Sequence, residues 1–133
     1  MANLSIRGLV LAAVVSAADP ASLLYSLTAE SSPDPVEAHG RGQLHIYLTP
    51  SASAHVSKDT PFKIDLSAQG AHFEKEHLRR VDAIADSPLH FRADFIAGDR
   101  GKAQLSAKAT FFICTEKLCI RQQKQLSVDK IIQ

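Results

Sequence analysis

From residue 43 onward, apolar and polar positions alternate with a period of two. Leu44, Ile46 and Leu48 alternate with His45, Tyr47 and Thr49, and Pro50 ends that run. Phe62, Ile64, Leu66 and Ala68 alternate with Lys63, Asp65 and Ser67 as far as Gly70. Phe91, Ala93 and Phe95 alternate with His90, Arg92 and Asp94. After the turn signal Gly98-Asp99-Arg100-Gly101, the longest run sets Ala103, Leu105, Ala107, Ala109, Phe111 and Ile113 on one side. Leu126 and Val128 mark a last strand. Successive side chains of a strand point to opposite faces, so each run reads as a strand with one dry and one wet face. Strands at this spacing, separated by Gly and Pro turns, predict an all-β antiparallel sandwich or barrel.

Three segments lack this alternation. Leu23 to Leu27 fits either a short helical turn or a first edge strand. Ser31 to Gly42 (SSPDPVEAHGRG) is loop-like, with two Pro and two Gly. Glu74 to Arg80 (EKEHLRR) is helix-like, and its charges fit a solvated turn between strands. The first 18 residues have the layout of a secretory signal peptide. Arg7 precedes the apolar run Gly8 to Val15, and Ser16-Ala17-Ala18 supplies small residues for cleavage after Ala18. The expected organisation is a signal peptide over 1–18, an N-terminal extension or loop over 19–42, and a β-sandwich domain over 43–133. The expected location is periplasmic or secreted.

Composition narrows the function. At 133 residues and 45% hydrophobic, the chain is one domain with enough apolar content for a core. Fifteen Lys and Arg balance 14 Asp and Glu, and there is no Trp. A nucleic-acid partner, which calls for a basic face or stacking aromatics, is not expected. No tract approaches the roughly 20 apolar residues of a membrane span. The six His are scattered, and no nucleophile turn, calcium loop or phosphate-cradling glycine loop is visible. No hydrolase, nucleotide enzyme, cofactor or resident metal is implied.

The chemistry lies in Phe111 to Val128, FFICTEKLCIRQQKQLSV. Cys114 and Cys119 bracket Thr115-Glu116-Lys117-Leu118 between an incoming and an outgoing strand. Facing residues at a non-hydrogen-bonded site of an antiparallel pair have Cα atoms roughly 4.5 Å apart, and disulfides accept separations from about 4.4 Å. A Cys114–Cys119 bond across the hairpin is therefore expected, and export would keep it oxidised. Closing a loop of about six residues stabilises by roughly 2 kcal/mol, less than half the effect of a bridge spanning about 100. Such a bond is a weak staple and is suited to opening and closing. Lys117 at the tip favours a thiolate and Glu116 opposes it. Phe111 and Phe112 fall on opposite faces of the strand, one for the core and the other for a simple edge contact or for shielding the sulfurs.

The aromatic pair followed by Cys-Thr-Glu-Lys-Leu-Cys and a polar strand resembles the N-terminal domain of the thiol:disulfide interchange protein DsbD and its standalone relatives. The segment LTPSASAHVSKDTPFKIDLSA is similar to that family's early strand, loop and following strand. The resemblance covers roughly residues 40–130. It implies an immunoglobulin-like domain in which Cys114 and Cys119 are the catalytic, redox-active pair, with Cys119 as the attacking sulfur. The implied partners are a membrane electron transporter and periplasmic thioredoxin-like proteins. This sequence has four residues between its cysteines where the family often has five. Ile120-Arg121-Gln122-Gln123 stands where a proline usually follows.

Three readings stay open on the sequence. The chain is an exported thiol–disulfide exchange or electron-relay domain, so that any enzymatic activity is thiol–disulfide oxidoreduction. Alternatively it is a non-catalytic immunoglobulin-like structural or binding module with an inert bridge. The third reading is a metal carrier using the two thiols.

Overall fold

A computed structural model describes residues 20–133. The signal peptide expected over 1–18 lies outside the described residues. After a 3-10 turn at Pro20–Leu24, ten strands follow. They are β1 Tyr25–Ser32, β2 Arg41–Pro50, β3 His55–Val56, β4 Lys63–Gln69 and β5 Ala71–Phe73. The rest are β6 His77–Arg79, β7 Ala85–Asp86, β8 Leu89–Ala97, β9 Gly101–Cys114 and β10 Cys119–Ile132.

The strands form two sheets. The first runs β1-β2-β8-β5, with β7 also beside β8. The second runs β10-β9-β4-β6, with β3 beside β9. Pairing between named strands is antiparallel in both. Taken in chain order, these are the A-B-E-D and G-F-C sheets of an immunoglobulin-like sandwich. The fold class is thus all-β and immunoglobulin-like.

The alternating residues fill the space between the sheets. Leu44, Ile46 and Leu48 of β2 and Phe91, Ala93 and Phe95 of β8 face Ile64 and Leu66 of β4 and Leu105 to Ile113 of β9. Antibody domains anchor this space with a Trp and an inter-sheet disulfide; here rings take that place. Phe62 stacks on Phe91 at 5.3 Å, and Tyr25 meets Phe111 edge-on at 5.0 Å. Full burial of such a side chain contributes about 1.5–3 kcal/mol. Gly42, an inward position of β2, pairs in register with Phe95. A Cβ there would lie 2.3 Å from the Phe95 ring, so only glycine lets the ring pack. Gly70, at φ +79°, takes the chain from β4 in one sheet to β5 in the other.

Structure and expectation differ at three places. The sandwich begins at Tyr25 rather than near residue 43, because β1 pairs with β2 from Tyr25↔Pro50 to Ser32↔Gln43. Residues 33–40, the middle of the loop-like stretch, connect these two strands. The helix-like patch contains strand β6, held by the buried Leu78 and paired with β4, followed by a 3-10 turn at Arg80–Asp82. The last strand starts at Cys119 itself and continues to Ile132.

The open side between edge strands β1 and β10 is bridged by polar groups. Tyr25 Oη donates to Gln122 Oε1 at 2.8 Å. Lys130, 2% exposed, places Nζ 3.4 Å from the Ser31 carbonyl and 3.5 Å from the Asp34 carboxylate. Beyond β1, the chain crosses to the second sheet, where Val36 pairs in parallel with Ile132.

Candidate functional site

The β9–β10 hairpin positions the two cysteines. Thr115 N–H donates to the Leu118 carbonyl at 2.8 Å. The Thr115 hydroxyl accepts from the backbone N–H of Lys117 at 3.2 Å and of Leu118 at 3.4 Å. A threonine that bonds its own turn in this way tightens the tip. Hydrogen-bonded and non-hydrogen-bonded pairs alternate along an antiparallel ladder, so the pair next to Thr115–Leu118 is a close, non-hydrogen-bonded one. That pair is Cys114↔Cys119, with a Cα–Cα distance of 4.0 Å. The two sulfurs are joined in a disulfide, as expected.

The face on which the bond lies follows from the core. Phe111 and Ile113 are fully buried between the sheets, so Phe112 and Cys114 project to the outer face of the second sheet. Cys114 is 1% exposed, whereas Cys119 is exposed. Phe112, half-buried, is two residues from Cys114 on the same face and opposite Arg121. Arg121 in turn lies two residues from Cys119 on β10, so its guanidinium shares the face of the exposed sulfur.

The other neighbour of Cys114 comes from β3. His55 pairs with Cys114, and Val56 pairs with Ile113. Val56 packs on the core, which puts His55 on the outer face in one cross-strand row, Cys119–Cys114–His55. His55 is exposed. It borders a groove of about 510 Å³ together with Ala52, Ser53, Ala54, Thr115, Glu116 and Lys117. The structure therefore sets His55 across from Cys114 and Arg121 two residues from Cys119 on the same face, with Glu116 and Lys117 at the tip. Neither His55 nor Arg121 stands out in the sequence. Arg121 follows from the hairpin register, but the pairing of His55 with Cys114 is a tertiary fact with no local signal.

No family model matches the chain, and no curated protein matches it. Among solved structures, it is similar to AggA, the major subunit of aggregative adherence fimbriae type I (AAF/I) from Escherichia coli. The identity is 10% and the TM-score 0.41, over 82% of this chain and 95% of that one.

Two of the remaining histidines come together in space. On the outer face of the first sheet, His45 Nδ1 and His90 Nε2 are 2.9 Å apart, and Tyr47 stacks on His90 at 4.3 Å. The His45 and His90 ring centroids are 5.1 Å apart, so the two nitrogens point at each other as in a hydrogen bond. Both rings are half-buried, where the polar strand face suggested solvated side chains. Burial, then the neighbouring His45 and Arg92, hold the His90 imidazole below its ordinary range, against the pull of Glu30. Among the described residues, no group of three or more His, Cys, Asp or Glu side chains is placed to hold a metal ion. Among those residues, no helix is long and apolar enough to cross a membrane.

Proposed function

We propose that the chain is an exported thiol–disulfide exchange or electron-relay domain, with Cys114 and Cys119 as its catalytic pair. The reading rests on one observation: an exposed cysteine, Cys119, stands at the tip of a hairpin whose bond closes only a short loop. An exposed sulfur is open to attack by a partner's thiolate, and the short loop means that breaking the bond costs the fold little. Arg121 beside Cys119 favours the thiolate form once the bond is reduced. The partner class is a dithiol or disulfide protein in the periplasm or outside the cell, such as a thioredoxin-like protein or a membrane electron transporter. The likeness of the hairpin to the DsbD N-terminal domain agrees with this role.

A second reading has its own observation. Cys114 is buried, and a buried sulfur is a poor leaving group because an apolar setting disfavours the thiolate. On that reading the bridge is inert and the domain is a structural or binding module. The equilibrium potential of the Cys114–Cys119 couple, measured in glutathione and dithiothreitol redox buffers, decides between them. A value within about −120 to −270 mV is expected for exchange, and a value below about −300 mV marks an inert bridge.

A further inference from the structure

Exchange at this hairpin meets a difficulty in the molecule itself. The sulfur that a partner reaches is Cys119, but the sulfur that must then leave is the buried Cys114. Building on the exchange reading, we infer that His55 is the proton donor that makes Cys114 a competent leaving group. Directly opposed residues of an antiparallel pair hold their Cβ atoms about 4.5–5.5 Å apart, within imidazole reach of a sulfur. His55 stands in that relation to Cys114, on the edge of β9 away from Cys119. It therefore approaches the leaving sulfur without obstructing the attacked one. Its exposure lets it recover a proton from water. Glu116 and Lys117 share its groove, and Arg121 pairs with Phe112 two residues along β10 from Cys119; the register places none of the three opposite Cys114.

Atoms and electrons balance at each step. A partner thiolate attacks the Cys119 sulfur and forms a mixed disulfide. The Cys114–Cys119 bond breaks, and its electron pair goes to the Cys114 sulfur. The imidazolium of His55 gives that sulfur a ring proton and becomes neutral. The partner's second thiolate then attacks its own sulfur in the mixed disulfide and releases Cys119 as a thiolate. In sum, the partner's dithiol is oxidised to a disulfide, and the chain's disulfide is reduced by two electrons. In the reverse direction, neutral His55 takes the proton from Cys114.

The test is the rate at which dithiothreitol reduces the full chain between pH 5 and 9, divided by the reagent's thiolate fraction. Imidazole changes charge between about pH 5 and 8. The corrected rate of the unaltered chain is expected to be highest at acid pH and to fall across that interval. His55→Gln is expected to be on the order of 10²-fold slower at pH 6, with a flat profile that meets the unaltered one at pH 9. His55→Lys, which keeps a cation but does not titrate there, restores part of the rate without the slope. Glu116→Gln, which removes the acid sharing the groove, keeps the slope. A His55→Gln profile that matches the unaltered chain overturns the inference. So does a flat profile in the unaltered chain, which needs no variant to fold. A potential in the exchange range combined with either of these results removes the role of His55 alone. A potential in the inert range removes the exchange reading.

Discussion

The two outer faces of the sandwich each set a histidine beside another side chain of interest, with different consequences. On the first sheet, His45 and His90 point at each other under a stacked Tyr47, half-buried and mutually satisfied. On the second sheet, His55 is exposed and stands across from a sulfur whose own bond runs to an exposed partner. Cross-strand register creates proximity in both cases. Solvent access separates them: the first pair is half-buried, whereas the second row has exposed His55 and Cys119 on either side of buried Cys114.

The two faces share one core. Phe111 is wedged between the sheets against Phe62 and Tyr25. Phe111→Ala is expected to cost about 3–5 kcal/mol in urea unfolding, and to lower the stability of both faces together. A loss below about 1 kcal/mol would mean that the faces rest on separate cores. Replacing both cysteines by serine is expected to cost about 2 kcal/mol and leave the His45 and His90 NMR signals in place. A much larger loss would make the bridge a principal staple and count against exchange.

The smallest effect lies on the first sheet. Because the His90 imidazole sits below its ordinary range, the unfolded chain takes up this proton more readily than the folded one. The stability contributed by neutral His90 is then full above the unfolded pKa of about 6.5, and is lost as pH falls through the lower folded value. His90→Gln is expected to flatten the fall in stability from pH 7 to pH 5, by about 1 kcal/mol or less. Urea melts at the two pH values measure it; an unchanged slope would show that the pair does not titrate with folding.

Legibility in the sequence tracks burial. Strands β2, β4, β8 and β9 carry apolar side chains at nearly every second position because these positions face the space between the sheets. The edge strands are harder to read. The inward positions of β1 are Tyr25, Leu27, Ala29 and Ser31, only the first of them buried, so small and polar residues are tolerated there. In β10 the inward Gln122 and Lys130 interrupt the pattern, since their polar heads find partners on and beside β1. The disulfide is readable because both cysteines belong to one hairpin and its geometry is local. His55 is not, because a two-residue strand paired across the fold leaves no period to detect.

One stitch at the far pole of the molecule governs how a redox event would spread. Val36 donates to the Ile131 carbonyl at 3.1 Å and accepts from Gln133 at 2.8 Å, while Ala38 donates to Gln133 at 2.8 Å. The long β9–β10 ladder is thus fastened at its bottom by a crossing segment and at its top by sulfur. With the upper fastening cut, β10 could not peel away without tearing out residues 36–38 as well.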